Sequence, residues 1–257
     1  MKNCTLPSII FLVFAFACQK EDVDSKKDRD NLPQYSSDAQ LQQVTLYGLE
    51  SNSLPGNIIE FYEYDENDRV ARIITPGTGG LEDIAQYQSF GYNSEGRVSS
   101  VSTYVANTGE PNGFLLIEVK NIFYSGDGVK TKESVENPQI GLKKETKFSY
   151  EGIRLAKSEE FDNKGALERY TVYEYNDSGT LKKETAYSPT GDLNSYVSHV
   201  YEGNRRIHSS FYSFSEELVK EEKRAYDANG NLVELKSINI ALWLSTMSYR
   251  LEYTYKE

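Results

Sequence analysis

Cysteine is nearly absent from this chain of 257 residues. Its two cysteines, Cys4 and Cys18, both lie within the first 18 residues. The chain beyond them therefore has no disulfide and no thiol nucleophile, so its stability must come from packing. From position 41 to the end about 215 residues remain, which is enough for one core in an all-β domain.

Histidine is equally scarce, because His199 and His208 are the only two in the sequence. Neither a Ser/His/Asp arrangement nor a set of zinc ligands can be assembled convincingly from this pair. His199 stands two positions before Tyr201, in the place where an aromatic residue stands elsewhere in the chain. We therefore expect both histidines to be structural. We expect no catalytic residue, no metal and no cofactor.

Basic residues are too few to balance the acidic ones, and the formal net charge is −11. Removing residues 1–17, which contain Lys2 and no acid, leaves 27 basic and 39 acidic side chains and a charge of −12. Proteins that bind nucleic acid rely on clustered Lys and Arg to displace counterions from the phosphates. The composition therefore excludes a nucleic-acid partner. No stretch of the chain shows a convincing helical period, which favours β-structure.

The one long apolar run near the N-terminus, residues 6–17, is typical of a cleavable export signal. About twelve apolar residues span too little of a ~30 Å hydrocarbon core to form a transmembrane helix. The run follows Lys2 and ends in small residues, as a signal peptidase requires. A generic signal peptide that is cut near Ala17 explains the same pattern.

A cysteine placed directly after such a run resembles the lipobox of bacterial lipoproteins, with residues 14–17 before Cys18. The resemblance implies that residues 1–17 are lost and that Cys18 is acylated. A Lys followed by two acids at positions 20–22 resembles the signal that sends lipoproteins of one Gram-negative phylum to the outer cell surface. Residues 18–40 are polar and predict a flexible tether. We expect an outer-membrane lipoprotein, exposed at the cell surface and attached to the membrane by its N-terminal lipid.

Tyrosine, in contrast, is abundant and regularly spaced. One returns about every 26 residues, usually with an aromatic or apolar residue two positions earlier and a turn sequence just after it. The series comprises Tyr64, Tyr92, Tyr124, Tyr150, Tyr175, Tyr201, Tyr226 and Tyr255. A period of this length predicts a repeat architecture, and we expect these tyrosines to form the repeated core.

Each repeat has the pattern of two strands. In residues 165–181, Tyr173 and Tyr175 share one face because strand side chains alternate, and residues 176–179 have the Asx and Gly chemistry of a hairpin turn. A second turn lies half a period away, for example at residues 162–165. Eight repeats give about 14–16 strands, and short turns make consecutive strands antiparallel. The sequence therefore predicts an all-β antiparallel meander.

So many strands rarely form an open sheet, because an open sheet of this size would leave aromatic side chains in water. We expect residues 41–257 to form a single domain, rolled into a flattened or partly open barrel or a spiral. A groove or polar interior would then be the place for a ligand. Charge falls on both faces of residues 181–187, which is not the pattern of a barrel embedded in lipid.

Several short motifs accompany the repeat. The clearest are Tyr62-Glu63-Tyr64-Asp65, Phe90-Gly91-Tyr92-Asn93, Tyr173-Glu174-Tyr175-Asn176 and Arg224-Ala225-Tyr226-Asp227. They resemble the YD repeats of the RHS-type family, over residues 58–257. The intervals here are longer than the family's usual spacing, and Tyr124 lacks the following acid. The resemblance implies a long rolled antiparallel sheet, in some members a shell around a cargo, and it implies no catalytic residues.

Two long intervals between repeat tyrosines, 28 residues from Tyr64 to Tyr92 and 32 from Tyr92 to Tyr124, place insertions at residues 76–83 and 105–113. Insertions on a repeat scaffold often carry function, although simple drift in length explains them equally well. Residues 227–231 resemble the start of a calcium loop, but Ile238 occupies the position of the bidentate Glu. A hairpin turn is the better interpretation of that segment.

The most apolar segment after the signal is residues 238–244. Alternation predicts that Ile238, Ile240, Leu242 and Leu244 face the core and that Trp243, the only tryptophan, lies on the opposite face. Trp243 is then either a stacking platform for a sugar ring or a residue buried by a neighbouring layer.

We expect a membrane-anchored binding protein of the cell surface, whose groove and tyrosine-rich face contact a glycan or another envelope protein during nutrient capture. The alternative is a purely structural module, an RHS-like shell or spacer. A hydrolase built on two carboxylates ranks third and we do not expect an enzyme, because adjacent acids such as Glu159 and Glu160 face opposite ways on a strand.

Overall fold

The computed structural model describes residues 40–48, 56–78, 80–240 and 249–256. Within these residues the chain forms sixteen β-strands. The described residues include no helix that is long and apolar enough to cross a membrane. The strands are β1 Leu41–Gly48, β2 Asn57–Tyr64, β3 Val70–Gly77, β4 Gly80–Tyr92, β5 Val98–Ala106, β6 Phe114–Tyr124, β7 Lys130–Asn137, β8 Leu142–Glu151, β9 Arg154–Phe161, β10 Leu167–Tyr175, β11 Leu181–Tyr187, β12 Leu193–Glu202, β13 Arg205–Ser213, β14 Leu218–Tyr226, β15 Leu232–Asn239 and β16 Tyr249–Tyr255.

The strands form one closed barrel. Each strand pairs antiparallel with its neighbours in the chain, and β1 pairs with β16 from Leu41 opposite Tyr255 to Gly48 opposite Tyr249. The predicted antiparallel meander is therefore confirmed, and the rolled sheet closes on itself. Closure leaves none of the sixteen described strands with an unpaired edge, which an open sheet would have at both sides.

The meander gives the barrel two ends. At the end that we call the tyrosine end, even-numbered strands finish and odd-numbered strands begin; the other we call the insertion end. Most hairpins use one turn, in which an Asp, Asn or Ser accepts backbone N–H groups. Asn176 Oδ1 accepts the N–H of Thr180 at 2.9 Å, and Gly179 has a φ of 91° that a side chain would strain.

The eight repeat tyrosines lie on the inner face, each at or near the last residue of an even-numbered strand. Seven of their hydroxyls donate a hydrogen bond to a backbone carbonyl at the start of the preceding strand. These bonds join Tyr64 to Leu41, Tyr92 to Val70, Tyr124 to Val98, Tyr150 to Lys130, Tyr175 to Leu155, Tyr226 to Arg206 and Tyr255 to Leu232, at 2.7 to 3.0 Å.

A β-bulge accompanies the repeated tyrosines on β2 to β14. In β10 the register shifts between Glu174 and Tyr175, so that Tyr175 lies opposite Leu181 of β11. The phenol of Tyr175 meanwhile reaches Leu155 of β9. Tyr175 thus joins both neighbouring strands, since its backbone pairs with β11 and its hydroxyl bonds to β9. Arg154 of β9 also packs over its ring at 5.5 Å.

The inner face is partly apolar and partly polar. Val44, Tyr62, Ile73 and Leu251 form a buried cluster between the first three strands and the last. A second buried apolar cluster joins Val98, Val101 and Ile122 on β5 and β6. From β9 to β14 the buried inner positions hold polar residues, namely Ser158, His199 and Ser209, and β15 adds Ser237. The interior is therefore polar over a large part of the circumference, as the sequence predicts.

One prediction about the core is wrong. Ser237 pairs with Glu222 on the inner face, so Ile238, the next residue, lies on the outer face. Ile240 is 42% exposed. The apolar run in this segment therefore does not face the interior, because the polar interior takes Ser237 and Asn239 instead.

Replacing Tyr175 by Phe tests the tyrosine bonds. The substitution keeps the ring and leaves the Leu155 carbonyl without its donor, so the free energy of unfolding should fall by about 1 kcal/mol. Tyr212→Phe, on the outer face, is the matched control and should change stability by less than about 0.5 kcal/mol. Urea unfolding followed by circular dichroism measures both. Equal stability of the two variants would contradict the assignment.

Candidate ligand-binding site

Two of the predicted site residues, Cys18 and Trp243, lie outside the described residues, and so do the signal segment 1–17 and most of the tether. Of residues 18–40 only Gln40 is described. The repeat tyrosines, by contrast, are partly buried, and the seven hydroxyls named above are already used in bonds to the backbone. Their arrangement suits a structural role better than a binding surface.

Both predicted insertions emerge at the insertion end. The first lengthens the β3–β4 hairpin, in which Gly77 lies opposite Gly80, and makes β4 the longest strand with 13 residues. The second is the connection 107–113 between β5 and β6, where the side chain of Asn112 accepts the N–H of Phe114 at 3.1 Å. Because β4 pairs with β5, the two insertions are neighbours in space.

Between the insertions, three aromatic rings gather on the outer face of β4, β5 and β6. Tyr87 and Tyr104 are directly opposite in the register and stack, with their centroids 4.7 Å apart and their planes at 13°. Phe114 meets Tyr87 edge-on at 4.9 Å. The guanidinium of Arg72, from β3, covers the Tyr87 ring at 5.1 Å. These pairings hold the rings in fixed orientations.

Two clefts flank this aromatic cluster and share Phe114 and Asn112 in their walls. The larger has a volume of about 450 Å³ and includes Tyr104, Glu110 and Gln139. The smaller has a volume of about 320 Å³ and runs past Arg72, Ile84 and Tyr87.

The polar groups in the two clefts, beside the ring surfaces, are two amides, a carboxylate and a guanidinium, from Asn112, Gln139, Glu110 and Arg72. Burial raises the pKa of Tyr87, and the neighbouring Tyr104 raises it further, whereas Arg72 lowers it. The Gln139 side chain donates to the carbonyl of Leu116 at 3.0 Å and so is fixed against β6. Ring faces combined with a few positioned polar groups are typical of small-molecule sites.

A second polar cluster, which the sequence analysis missed, crosses the inner face of β11 to β14. His199 Nδ1 lies 3.0 Å from Ser209 Oγ, and His199 Nε2 lies 2.9 Å from Glu184 Oε1. Arg224 donates to Ser209 at 3.0 Å and to Glu222 at 2.7 Å. Its only sequence signal was the histidine that replaces an aromatic residue two positions before Tyr201.

The Ser, His and Glu in this cluster do not form a working nucleophile. Ser209 is 1% exposed and the His199 side chain is 2% exposed, so a substrate has no access to the hydroxyl. Ser209 also accepts a hydrogen bond from Arg224. Each buried polar group instead satisfies the next, which lets a hydrophilic residue set occupy the barrel interior.

The other candidate patterns occupy ordinary structural positions. Asp227 Oδ1 accepts the N–H groups of Asn229 and Asn231 in a hairpin turn, which accounts for the resemblance to a calcium loop. No group of three or more metal-ligating side chains occurs among the described residues. Glu159 pairs with Lys157 on the outer face, whereas Glu160 pairs with Arg169 on the inner face.

The comparisons with known proteins yield distant structural likenesses. A porin-like protein from Bacteroides uniformis is 13% identical, with a TM-score of 0.42 over 84% of this chain and 98% of its own. A porin-like protein from Bacteroides vulgatus is 11% identical, with a TM-score of 0.41 over 85% and 99%. The Tc holotoxin pore of Photorhabdus luminescens is 11% identical, with a TM-score of 0.27, and the match covers 87% of this chain but 15% of that one. No family model matches, and no curated protein matches at a significant level.

Substituting each histidine by alanine tests the inner cluster. His199→Ala leaves Glu184 and Ser209 without their shared partner, so the free energy of unfolding should fall by about 2 kcal/mol. His208 pairs with Glu221 at 3.1 Å on the outer face and is 26% exposed. His208→Ala should therefore cost less than about 1 kcal/mol. Chemical denaturation distinguishes them, and a larger loss for His208→Ala would refute this interpretation of the cluster.

Proposed function

We propose that this chain is a glycan-binding protein of a bacterial cell surface, held at the outer membrane by an acylated Cys18. The aromatic clefts between the two insertions are its binding site. The observation that carries the proposal is the fixed trio of Tyr87, Tyr104 and Phe114 on the outer face, with a cleft on each side.

Sugar rings suit these clefts chemically. The axial C–H groups of a pyranose pack against aromatic rings, while its hydroxyls need hydrogen-bond partners. The walls supply both kinds of contact, since Asn112 and Gln139 carry amides and Glu110 carries a carboxylate beside Phe114. The place of the clefts on inserted loops also supports the proposal, because loops on a rigid scaffold are where binding sites concentrate.

The charged outer face of the barrel supports attachment to the membrane by a lipid rather than by strands embedded in the bilayer. Ion pairs cross it on several strands, including Lys132 with Glu145 at 3.1 Å and Arg250 with Glu252 at 3.0 Å. A strand face in contact with lipid needs a continuous apolar band. The acyl group on Cys18 would then be the membrane anchor, and the tether would give the barrel its reach.

A spacer without a small ligand is the second candidate. Two large apolar side chains at the insertion end support it, because Phe214 and Ile140 stand largely exposed at turn tips, where another envelope protein has access to them.

Glycan-array screening of the soluble barrel, residues 40–257, followed by calorimetry on the best oligosaccharide, tests the binding proposal. We expect Tyr104→Ala to weaken binding about tenfold, since a stacked aromatic contact contributes up to about 1.5 kcal/mol. Phe123→Ala is the matched control, because Phe123 is an outer-face ring, 43% exposed, that contributes to neither cleft. The failure of every glycan to bind, or equal effects of the two substitutions, would contradict the proposal.

The anchor has its own test. In an expressing Gram-negative cell, metabolic labelling with an alkyne fatty acid should tag the full-length protein, and Cys18→Ser should abolish the tag and release the protein from the membrane fraction. Cys4→Ser is the control and should change neither result. A labelled Cys18→Ser variant would show that the lipid is attached elsewhere or that another anchor exists.

A further inference from the structure

A second set of stacked tyrosines lies on the outer face, away from the clefts. Tyr170 of β10 stacks on Tyr187 of β11, with centroids 5.1 Å apart and planes at 22°. Tyr196 of β12 stacks on Tyr212 of β13, with centroids 4.4 Å apart and planes at 13°. We call these four residues the paired tyrosines. They repeat the cross-strand stack of Tyr87 on Tyr104 farther round the circumference, with β7, β8 and β9 between the two sets.

Each pair is fixed by a lysine. The ammonium of Lys157 lies 4.6 Å from the centre of the Tyr170 ring, and that of Lys183 lies 4.2 Å from the centre of the Tyr196 ring. A ring held between a lysine and a second ring loses little further conformational entropy when a ligand binds. The rings are therefore preorganised in the same way as the rings beside the clefts.

The surroundings of the pairs are polar. Thr185, on β11 between the two pairs, lies opposite Tyr196 in the register, and its buried hydroxyl has no hydrogen-bond partner among the described residues. Thr185 is only 3% exposed, so its hydroxyl lies beneath the rings and the pairs themselves form the exposed surface. Lys157 is itself paired with Glu159 at 2.7 Å, which reduces its attraction for anions.

The paired tyrosines and the clefts share one end of the barrel. Tyr187 is the last residue of β11 and Tyr212 the last but one of β13, both at the insertion end. Phe114 is the first residue of β6 and Tyr104 lies near the end of β5, at that same end. A single extended ligand that follows this rim on the outer face would therefore meet the clefts and then the pairs.

We infer that the ligand is a neutral polysaccharide, bound along the insertion-end rim at two aromatic subsites, the clefts and the paired tyrosines. This inference rests on the proposed glycan-binding function and adds its substrate class. Neutrality follows from the formal charge of −11 and from Glu159, which pairs with Lys157, since an acidic chain repels polyanionic glycans. Two linked subsites favour a long chain over a short one, because the second contact forms at high effective concentration.

The test compares a polymer with the hexasaccharide of the same sugar and linkage. The polymer probes are soluble neutral glucans, mannans and xylans, and each is measured beside its own hexasaccharide. Affinity electrophoresis and calorimetry should show that the polymer binds at least about tenfold more tightly than its hexasaccharide. The double variant Tyr187→Ala and Tyr212→Ala should reduce polymer affinity to the hexasaccharide level. The same variant should leave hexasaccharide affinity within about twofold of the wild type.

Two further measurements keep the outcomes separate. The double variant Tyr187→Phe and Tyr212→Phe keeps the stacked rings and should retain polymer binding, and circular dichroism checks that the alanine variant is folded. Should the alanine variant unfold, the single variant Tyr212→Ala, which leaves the stack of Tyr170 on Tyr187 in place, must still lower polymer affinity and leave hexasaccharide affinity unchanged. Hexasaccharide binding with no gain for polymer, or a polymer affinity that substitution of the paired tyrosines by alanine does not lower in folded protein, overturns this inference and leaves the proposed function intact. An absence of all glycan binding overturns both.

Discussion

The bond from an inward-facing tyrosine hydroxyl to a carbonyl of the preceding strand is the interaction on which this barrel depends. Because a bulge sets the same tyrosine against the following strand, one side chain fixes the spacing of three strands. Seven such bonds recur round the tyrosine end. They recur at the closing strands too, since Tyr255 reaches Leu232 and Tyr64 reaches Leu41. A meander without disulfides thus gains a repeated long-range contact.

The side chains of the inner face contact one another, and the proposed binding site therefore lies on the outer face at the insertion end. Around His199 the buried hydroxyl, imidazole, carboxylates and guanidinium bond to one another. The outer tyrosines stack in pairs across strands, and several carry a lysine or arginine on the ring. The same cross-strand geometry that stabilises the sheet also produces preorganised ring surfaces, so the proposed binding would have the same physical origin as the stability of the sheet.

Local features of this fold were readable from the sequence, whereas long-range ones were not. The tyrosine period and the Asx–Gly turns predicted the strands and their pairing, because both depend on residues close in the chain. The bulge that moves Leu181 to the inner face, and the register that turns Ile238 outward, depend on neighbouring strands. The partners of His199 and the clefts beside Phe114 depend on which strands are neighbours in the barrel. The sequence therefore located the two insertions along the chain, but it did not predict that they lie next to each other in space.

Hydrogen–deuterium exchange on the intact protein tests the closed, tyrosine-bonded barrel most directly. If β1 and β16 pair as described, amides in Leu41–Gly48 and Tyr249–Tyr255 should be protected to the same degree as those of central strands such as Arg154–Phe161. Exchange of β1 and β16 within seconds, at the rate of unpaired sheet edges, would show an open sheet and contradict the account.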